Sequence, residues 1–565
     1  MMRRFASVFL LIACYGSSPA GAAAAAQKPN LVLITLDSVR ADRLGFLGGK
    51  GAATPNLTRL AAESLVFDHA YAQAPGTVVS HATILSGSYP QNTGLSEVGG
   101  ALSASLPSLP DLLRLQGYRT AAFVGSIALD PVNGLAQGFD RGFQVYDAGF
   151  RPIVPGDARS PVTQRSGAET AARALAWLGK NVQGPFFLWV HITDASSGRG
   201  ASYNTSIAAA DAAVGKIAGA LKAQKVDGNT AIIVAADHGQ SLGAHGEDGH
   251  GIFLYDETIH VPLLVRMPGG QGQAKPVATK VRLVDVAPTL LEIAGVPVPS
   301  QMQGNSLLRA SKQSGDQPVY SRSDLPQRGF GWSALESWRA GKYLYIRAPK
   351  PELYDMTADP GAAHNLAENS KGVVDTLASQ VDGFDRRFSG DAGKTSSQLS
   401  SSEMQKLASL GYAGLQKSAG PAATVTGTDP KDKIAVANKV ADAVQGAARP
   451  DRTIAALAPV VAADAGLYLA EYTLGVALAQ KGQFADAAKH LHKAVELQPD
   501  SAWANFEIGA TLVKTGDFKT GAAHLEIATG RLAAFAPAHV ALAQAYEHLG
   551  RAEDAKKEKI KAGVN

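Results

Sequence analysis

At 565 residues, the chain is long enough for two or three domains at roughly 150 residues each. Hydrophobic residues make up 45% and charged residues 18%, which excludes whole-chain disorder. The net charge is only +4, from 53 basic and 49 acidic side chains, which excludes a nucleic-acid binder driven by bulk charge. A single cysteine, Cys14, excludes an internal disulfide, a Cys-based zinc site and an iron–sulfur cluster.

The chain opens as an address. Arg3 and Arg4 precede a short apolar run, Phe5 to Ala13, and an alanine tract follows from Ala22 to Ala26. This is the anatomy of a secretory signal over residues 1–26, and the run is too short to span a bilayer. Two processing routes stay open. Leu11-Ile12-Ala13-Cys14 has the form of a bacterial lipobox, which would make Cys14 a lipid anchor. The Ser18-Pro19-Ala20 region or the alanine tract would instead serve an ordinary signal peptidase. Both export the protein, to a periplasmic or extracellular location.

Residues 27–388 alternate strands with helices. NLVLITL (30–36), TAAFVG (120–125), PFFLWVHI (185–192), TAIIVAA (230–236) and VPLLVR (261–266) read as buried strands. Helical spacing is found over 166–180, 205–224 and 284–294. The expected fold class is α/β, a mostly parallel sheet flanked by helices, with ligands beyond the carboxyl ends of its strands. Residues 389–430 are rich in serine and small residues and read as a linker around a short helix.

Residues 431–565 repeat. Leu474-Gly475, Leu478, Ala487, Leu491, Ala494 and Pro499 follow the offsets of a 34-residue tetratricopeptide repeat. The pattern recurs one period later at Ile508-Gly509, Leu512, Gly521, Leu525 and Ala528, and again at Leu542-Ala543, Tyr546 and Ala555. A degenerate copy precedes it, with Ala441, Thr453, Leu457 and Val460. Such an all-α array would dock a partner protein or fold over the site.

Three strand ends carry acidic side chains: Asp37, Asp194, and Asp237 with His238. Buried carboxylates there demand a cation or hydrogen bonds, so Asp37, Asp237 and His238 are candidate ligands of one divalent metal. In APGTVVSHATILSGSYPQNTG (74–94), Thr77 stands at the start of a predicted helix. Free N–H groups and the helix dipole at that point would suit a bound oxyanion. Taken alone, Thr77 also reads as an ordinary helix cap.

Five ordered segments now carry a resemblance. TLDSVRADRLGFLG (35–48), the 74–94 segment, ADHGQSLGAHGEDGHGIFLYDETIHVPLLVRMPG (236–269), VRLVDVAPTLLEIAGVPVPSQMQGNSL (281–307) and GKYLYIRAPKPELYDMTADPGAAHNL (341–366) look like the sulfatase family of the alkaline phosphatase superfamily. The likeness is to bacterial sulfatase-like proteins with C-terminal tetratricopeptide repeats. It implies that Asp37, Asp237 and His238 hold the metal and that Thr77 stands at the nucleophile. It places His81 on the family's arginine and His250 near its anion-binding lysine or histidine. It puts His245 in a Gly-x-His-Gly stretch that would face the leaving group.

The sequence departs from the family pattern in three places. The nucleophile position holds threonine, which is not converted to formylglycine. The resemblance therefore turns to relatives with a threonine nucleophile, which act on phosphorus; Ser80 is the alternative nucleophile. Asp194-Ala195-Ser196 replaces the usual Asp-Pro-His, arguing for a single metal. Ser38 replaces the second aspartate of an Asp-Asp pair, and Gln240 ends a motif that usually ends in glutamate. Metal ligands are then Asp37, Thr77, Asp237 and His238, suiting Mn, Zn, Ca or Mg, with the imidazole leaning toward Mn or Zn.

The expected activity is an exported metal-dependent hydrolase of phosphoric or sulfuric esters. Thr77 is the expected nucleophile, and His81, His245 and His250 contact the transferred or leaving group. Two other readings remain: a phosphotransferase to an envelope acceptor, and a catalytically weak scaffold whose repeats bind a partner.

Overall fold

The computed structural model describes residues 27–152, 154, 162–198, 200–270, 275–310, 312, 317–388, 400–410, 425–445 and 449–564. The leader with Cys14, and residues 389–399 and 411–424 of the expected linker, lie outside the described residues. Among the described residues no helix is long and apolar enough to cross a membrane.

The central sheet has eight strands: β1 (Asn30–Leu36), β2 (Leu65–Phe67), β3 (Arg119–Val124), β4 (Val145–Asp147), β5 (Phe186–Ile192), β6 (Thr230–Ala236), β7 (Leu263–Arg266) and β8 (Lys275–Val277). Their spatial order is β8-β2-β7-β6-β1-β5-β3-β4. The run β6-β1-β5-β3-β4 is parallel, while β7 is antiparallel to both its neighbours. β1, β5 and β6 are buried along their whole length, as strands covered on both faces must be. Helices Gly167–Leu178 and Ala201–Ala223 contribute to that cover. This is the α/β class expected.

VPLLVR is not one strand. Pro262 lacks an N–H and divides it. His260–Val261 pairs with Ala70–Tyr71 in a small separate sheet, and Leu263–Arg266 joins the main sheet as β7. A second, four-stranded antiparallel sheet was not among the expected strands. It comprises Val319–Ser323, Leu335–Ala340, Tyr343–Arg347 and Glu352–Asp355. Helix Lys371–Phe388 lies on it, with Phe384 stacked on Tyr320 at 4.5 Å.

The C-terminal region is helical. Three helices begin at Tyr468, Ala502 and Ala536, and their pairing helices begin at Phe484, Phe518 and Ala552. Both series advance by the 34 residues of the repeat. A Cβ on Gly475 would sit 2.6 Å from Leu491 Cγ, and one on Gly509 would sit 2.7 Å from Leu525 Cγ. The same close crossing thus recurs one period on, and it accounts for the glycine at that position.

The array leans on the α/β domain. Arg328 pairs with Asp500 at 3.1 Å, and Gln498 donates to the Arg328 carbonyl. Ahead of the repeats, Asn438 on helix Ile434–Gln445 donates to the Gly246 carbonyl at 2.8 Å and accepts the Asp248 amide at 3.1 Å.

Candidate active site

Strand register brings the acidic groups together. Leu36 lies opposite both Ile192 and Ala236. The Asp37 amide then donates to the Ile192 carbonyl at 2.9 Å, and the Asp237 amide to the Leu36 carbonyl at 3.2 Å. Two aspartates therefore leave adjacent parallel strands at one level. Ser38 follows in a left-handed conformation, φ 61°, uncommon for a residue with a side chain. It is held there from three sides. Its amide donates to Asp237 Oδ1, its hydroxyl donates to Asp37 Oδ1, and its carbonyl accepts from Tyr203.

Burial raises the Asp37 carboxyl well above the usual range, and the nearby Asp237 carboxylate adds to it. Burial pushes Asp237 up to about 8. Asp237 Oδ1 accepts the Ser38 and His238 amides, whereas Oδ2 is buried with no hydrogen-bond partner. His238 Nδ1 lies 2.8 Å from the Gly239 carbonyl, which only accepts, so the proton is on Nδ1. The Nε2 lone pair faces the site, 3.7 Å from Asp37 Oδ1 and 3.6 Å from Asp237 Oδ2. Burial lowers this imidazole to about 4, keeping it neutral.

Thr77 is the first residue of helix α1, Thr77–Ser86, and is 8% exposed. Its hydroxyl donates to His238 Nε2 at 3.1 Å. Ser80, the alternative nucleophile, donates its hydroxyl to the Asp237 carbonyl at 2.6 Å and is fully buried. It ties the helix to the end of β6 rather than facing the site.

The amides at the start of α1 are not free, contrary to expectation. The Glu97 carboxylate accepts those of Val79 at 2.9 Å and Val78 at 3.4 Å. Burial pushes Glu97 up to about 7. Glu97 arrives on the hairpin of Leu95–Ser96 and Gly99–Gly100, and no local pattern marked it.

The histidines divide. His250 stacks on His238 at 4.1 Å and donates from Nδ1 to the Pro75 carbonyl at 3.2 Å, beside the nucleophile turn. His81 does not replace an arginine. It is fully buried, Nδ1 donates to the Thr77 carbonyl at 2.7 Å, and Nε2 accepts the Thr35 hydroxyl at 2.9 Å. Burial lowers it to about 3, so it carries no positive charge to offer an anion. It positions α1 from behind. His245 stacks on Tyr255 at 3.6 Å and lies 3.9 Å from Glu257, so its partners are outside the Asp37–Thr77–Asp237–His238 cluster. Asp194 accepts the Gly167 amide at 2.7 Å at the start of helix Gly167–Leu178, a capping role.

One histidine was not predicted as a site residue. His191, on β5, is fully buried, with Nε2 3.6 Å from Asp37 Oδ2 and neither ring nitrogen hydrogen-bonded. Its signal in the sequence was a single polar residue near the end of an otherwise apolar strand.

The residues fit a divalent ion. Ligand atoms of Asp37, Asp237 and His238 all lie within 4.8 Å of one another. Two buried carboxylates so close, one with an orphaned oxygen, are costly without a cation between them. Oxygen ligands with imidazole suit Mn, Zn, Mg or Ca.

An alkaline-phosphatase-like sheet with an acidic cluster at its strand ends and a hydroxyl at a helix start defines a class of ester hydrolases. Residues 29–296 match the sulfatase family model, residues 246–385 match the C-terminal region of N-sulphoglucosamine sulphohydrolase, and residues 475–516 match a TPR repeat. Over the first two of these ranges the chain carries a sulfatase-family domain. It is 26% identical over 424 residues to the Delta 4,5-hexuronate-2-O-sulfatase of Bacteroides thetaiotaomicron, covering 63% of this chain and 88% of that one. It is 26% identical to human N-acetylgalactosamine-6-sulfatase, covering 62% and 80%. The phosphonate monoester hydrolase of Agrobacterium radiobacter superposes with a TM-score of 0.54 at 20% identity, over 64% of this chain and 96% of that one.

Proposed function

We propose that this chain is an exported, metal-dependent hydrolase of phosphoric or sulfuric esters in which Thr77 is the nucleophile. The observation that carries this is the Thr77 hydroxyl directed at His238 Nε2, beside two buried aspartates of which Asp237 leaves Oδ2 without a partner. Asp37, Asp237, His238 and Thr77 would hold the ion, which supplies charge for the transferred group and lowers the hydroxyl pKa. The chain's own groups do the rest. His81 and Ser80 fix α1 from behind, so the hydroxyl is presented in one orientation. Protonated Nδ1 on His238 keeps its Nε2 lone pair toward the site. His250 stands over His238 and is placed to contact the transferred group or leaving oxygen.

Threonine at the nucleophile favours phosphoesters. The names of the relatives, sulfatases acting on sugar sulfates and a phosphonate monoester hydrolase, keep both ester types in the reading. The leader supports export, with Cys14 as an anchor if the lipobox is used. The match of residues 475–516 to a TPR repeat supports a protein partner.

The test is turnover of nitrophenyl phosphate, a phosphodiester and nitrophenyl sulfate with divalent ions titrated in. Thr77→Ala should lose at least about a thousandfold in kcat and weaken ion binding without abolishing it, while Thr77→Ser keeps activity. Sulfatase turnover that survives Thr77→Ala would remove the mechanism.

A further inference from the structure

We infer that His191 is a further protein ligand of the ion, giving the centre two imidazoles. The inference rests on the reading of Asp37, Asp237 and His238 as a metal centre.

A fully buried imidazole with both nitrogens unpaired is rare, because each lost hydrogen bond goes uncompensated. Its neighbours have nothing to offer. His81 meets it edge-on at 4.8 Å, but both His81 nitrogens are committed to Thr77 and Thr35. The Trp189 N–H is spent on the Thr35 hydroxyl at 3.0 Å. The remaining candidate is Asp37 Oδ2 at 3.6 Å, too far for a hydrogen bond.

That separation is within the range two ligands of one ion can show, and His191 also offers a ligand atom within 4.8 Å of one of Asp237. With bonds of about 2.0–2.2 Å, ligand atoms at tetrahedral to trigonal angles stand roughly 3.3–3.8 Å apart. His191 Nε2 to Asp37 Oδ2 is 3.6 Å, His238 Nε2 to Asp237 Oδ2 is 3.6 Å, and His238 Nε2 to Asp37 Oδ1 is 3.7 Å. A buried ligand atom of Asp237 is orphaned in the same place. β5 delivers His191 because it pairs with Thr35, two residues before Asp37. Two imidazoles with two carboxylates select zinc or manganese over magnesium or calcium.

X-ray absorption at the zinc edge of the zinc-loaded full chain counts imidazoles directly and needs no variant. Two are expected in the wild type; a single imidazole overturns the inference. Calorimetric titration of zinc into the metal-stripped chain gives the second readout. His191→Gln should weaken zinc at least tenfold, and an affinity within twofold of wild type overturns the inference. Asp237→Asn separates the two ideas. Zinc binding that needs Asp237 but involves one imidazole sinks His191 alone, whereas a wild-type chain that takes up no zinc sinks the metal centre and His191 together.

Discussion

The Glu97 carboxylate accepts the Val79 amide at 2.9 Å, so an acid from a distant hairpin closes the end of the helix that carries Thr77. It adds a third negative group beside Asp37 and Asp237, and raises the carboxyl of each. Burial holds Glu97 itself near 7, above the usual 4.5. A raised carboxyl binds its proton more tightly in the folded chain. Stability is therefore fully present below about pH 4.5 and is lost as pH rises through 7. Glu97→Gln should flatten that decline in the ion-free protein, gaining about 1–3 kcal/mol at pH 7.5 and almost nothing at pH 4. Denaturant melts at the two pH values check this; equal gains at both would contradict it.

Asp237→Asn should have opposite effects with and without the ion. Asparagine keeps the Oδ1 acceptor for the Ser38 and His238 amides and removes the cost of a buried, raised carboxyl beside Asp37. The ion-free chain should gain about 1–3 kcal/mol, and the rise in melting temperature on adding manganese or zinc should vanish. Thermal melts with and without each ion decide it.

Asn438 grips the main chain of the His245–His250 loop from outside the α/β domain. Since His250 stacks on His238, loosening this grip should reach the site. Asn438→Ala should lower kcat about tenfold and speed hydrogen exchange at the Asp248 amide, with little change in melting temperature. Unchanged exchange at Asp248 would argue that the loop holds itself.

In the repeat array Glu507 is buried and its Oε2 has no partner, so burial pushes its carboxyl up to about 8. The same sign applies: stability present below about pH 4.5 is lost as pH rises through 8. Glu507→Gln should stabilise the chain by a few kcal/mol at pH 8.5 and leave it unchanged at pH 4. Parallel melts of the two chains at those pH values provide the measurement.

Local sequence determined a great deal here. Apolar runs of strand length specified β1, β3, β5 and β6, because a strand buried on both faces must be apolar throughout. The 34-residue spacing of small and apolar residues set the helix starts at 468, 502 and 536. Asp37, Asp237 and His238 were legible because they follow buried strands, positions visible in one dimension, whereas Thr77 stood out only through the family resemblance. Tertiary structure alone decided which neighbours share the space between them. Glu97 enters from a hairpin and His191 from the interior of a strand, and only the in-register pairing of β1 with β5 sets His191 beside Asp37. The family resemblance pointed to His81 and His245 as site residues, yet hydrogen bonds and stacking commit them elsewhere. A side chain's chemistry depends on which partners saturate it, and those partners are chosen by packing between segments far apart in the chain.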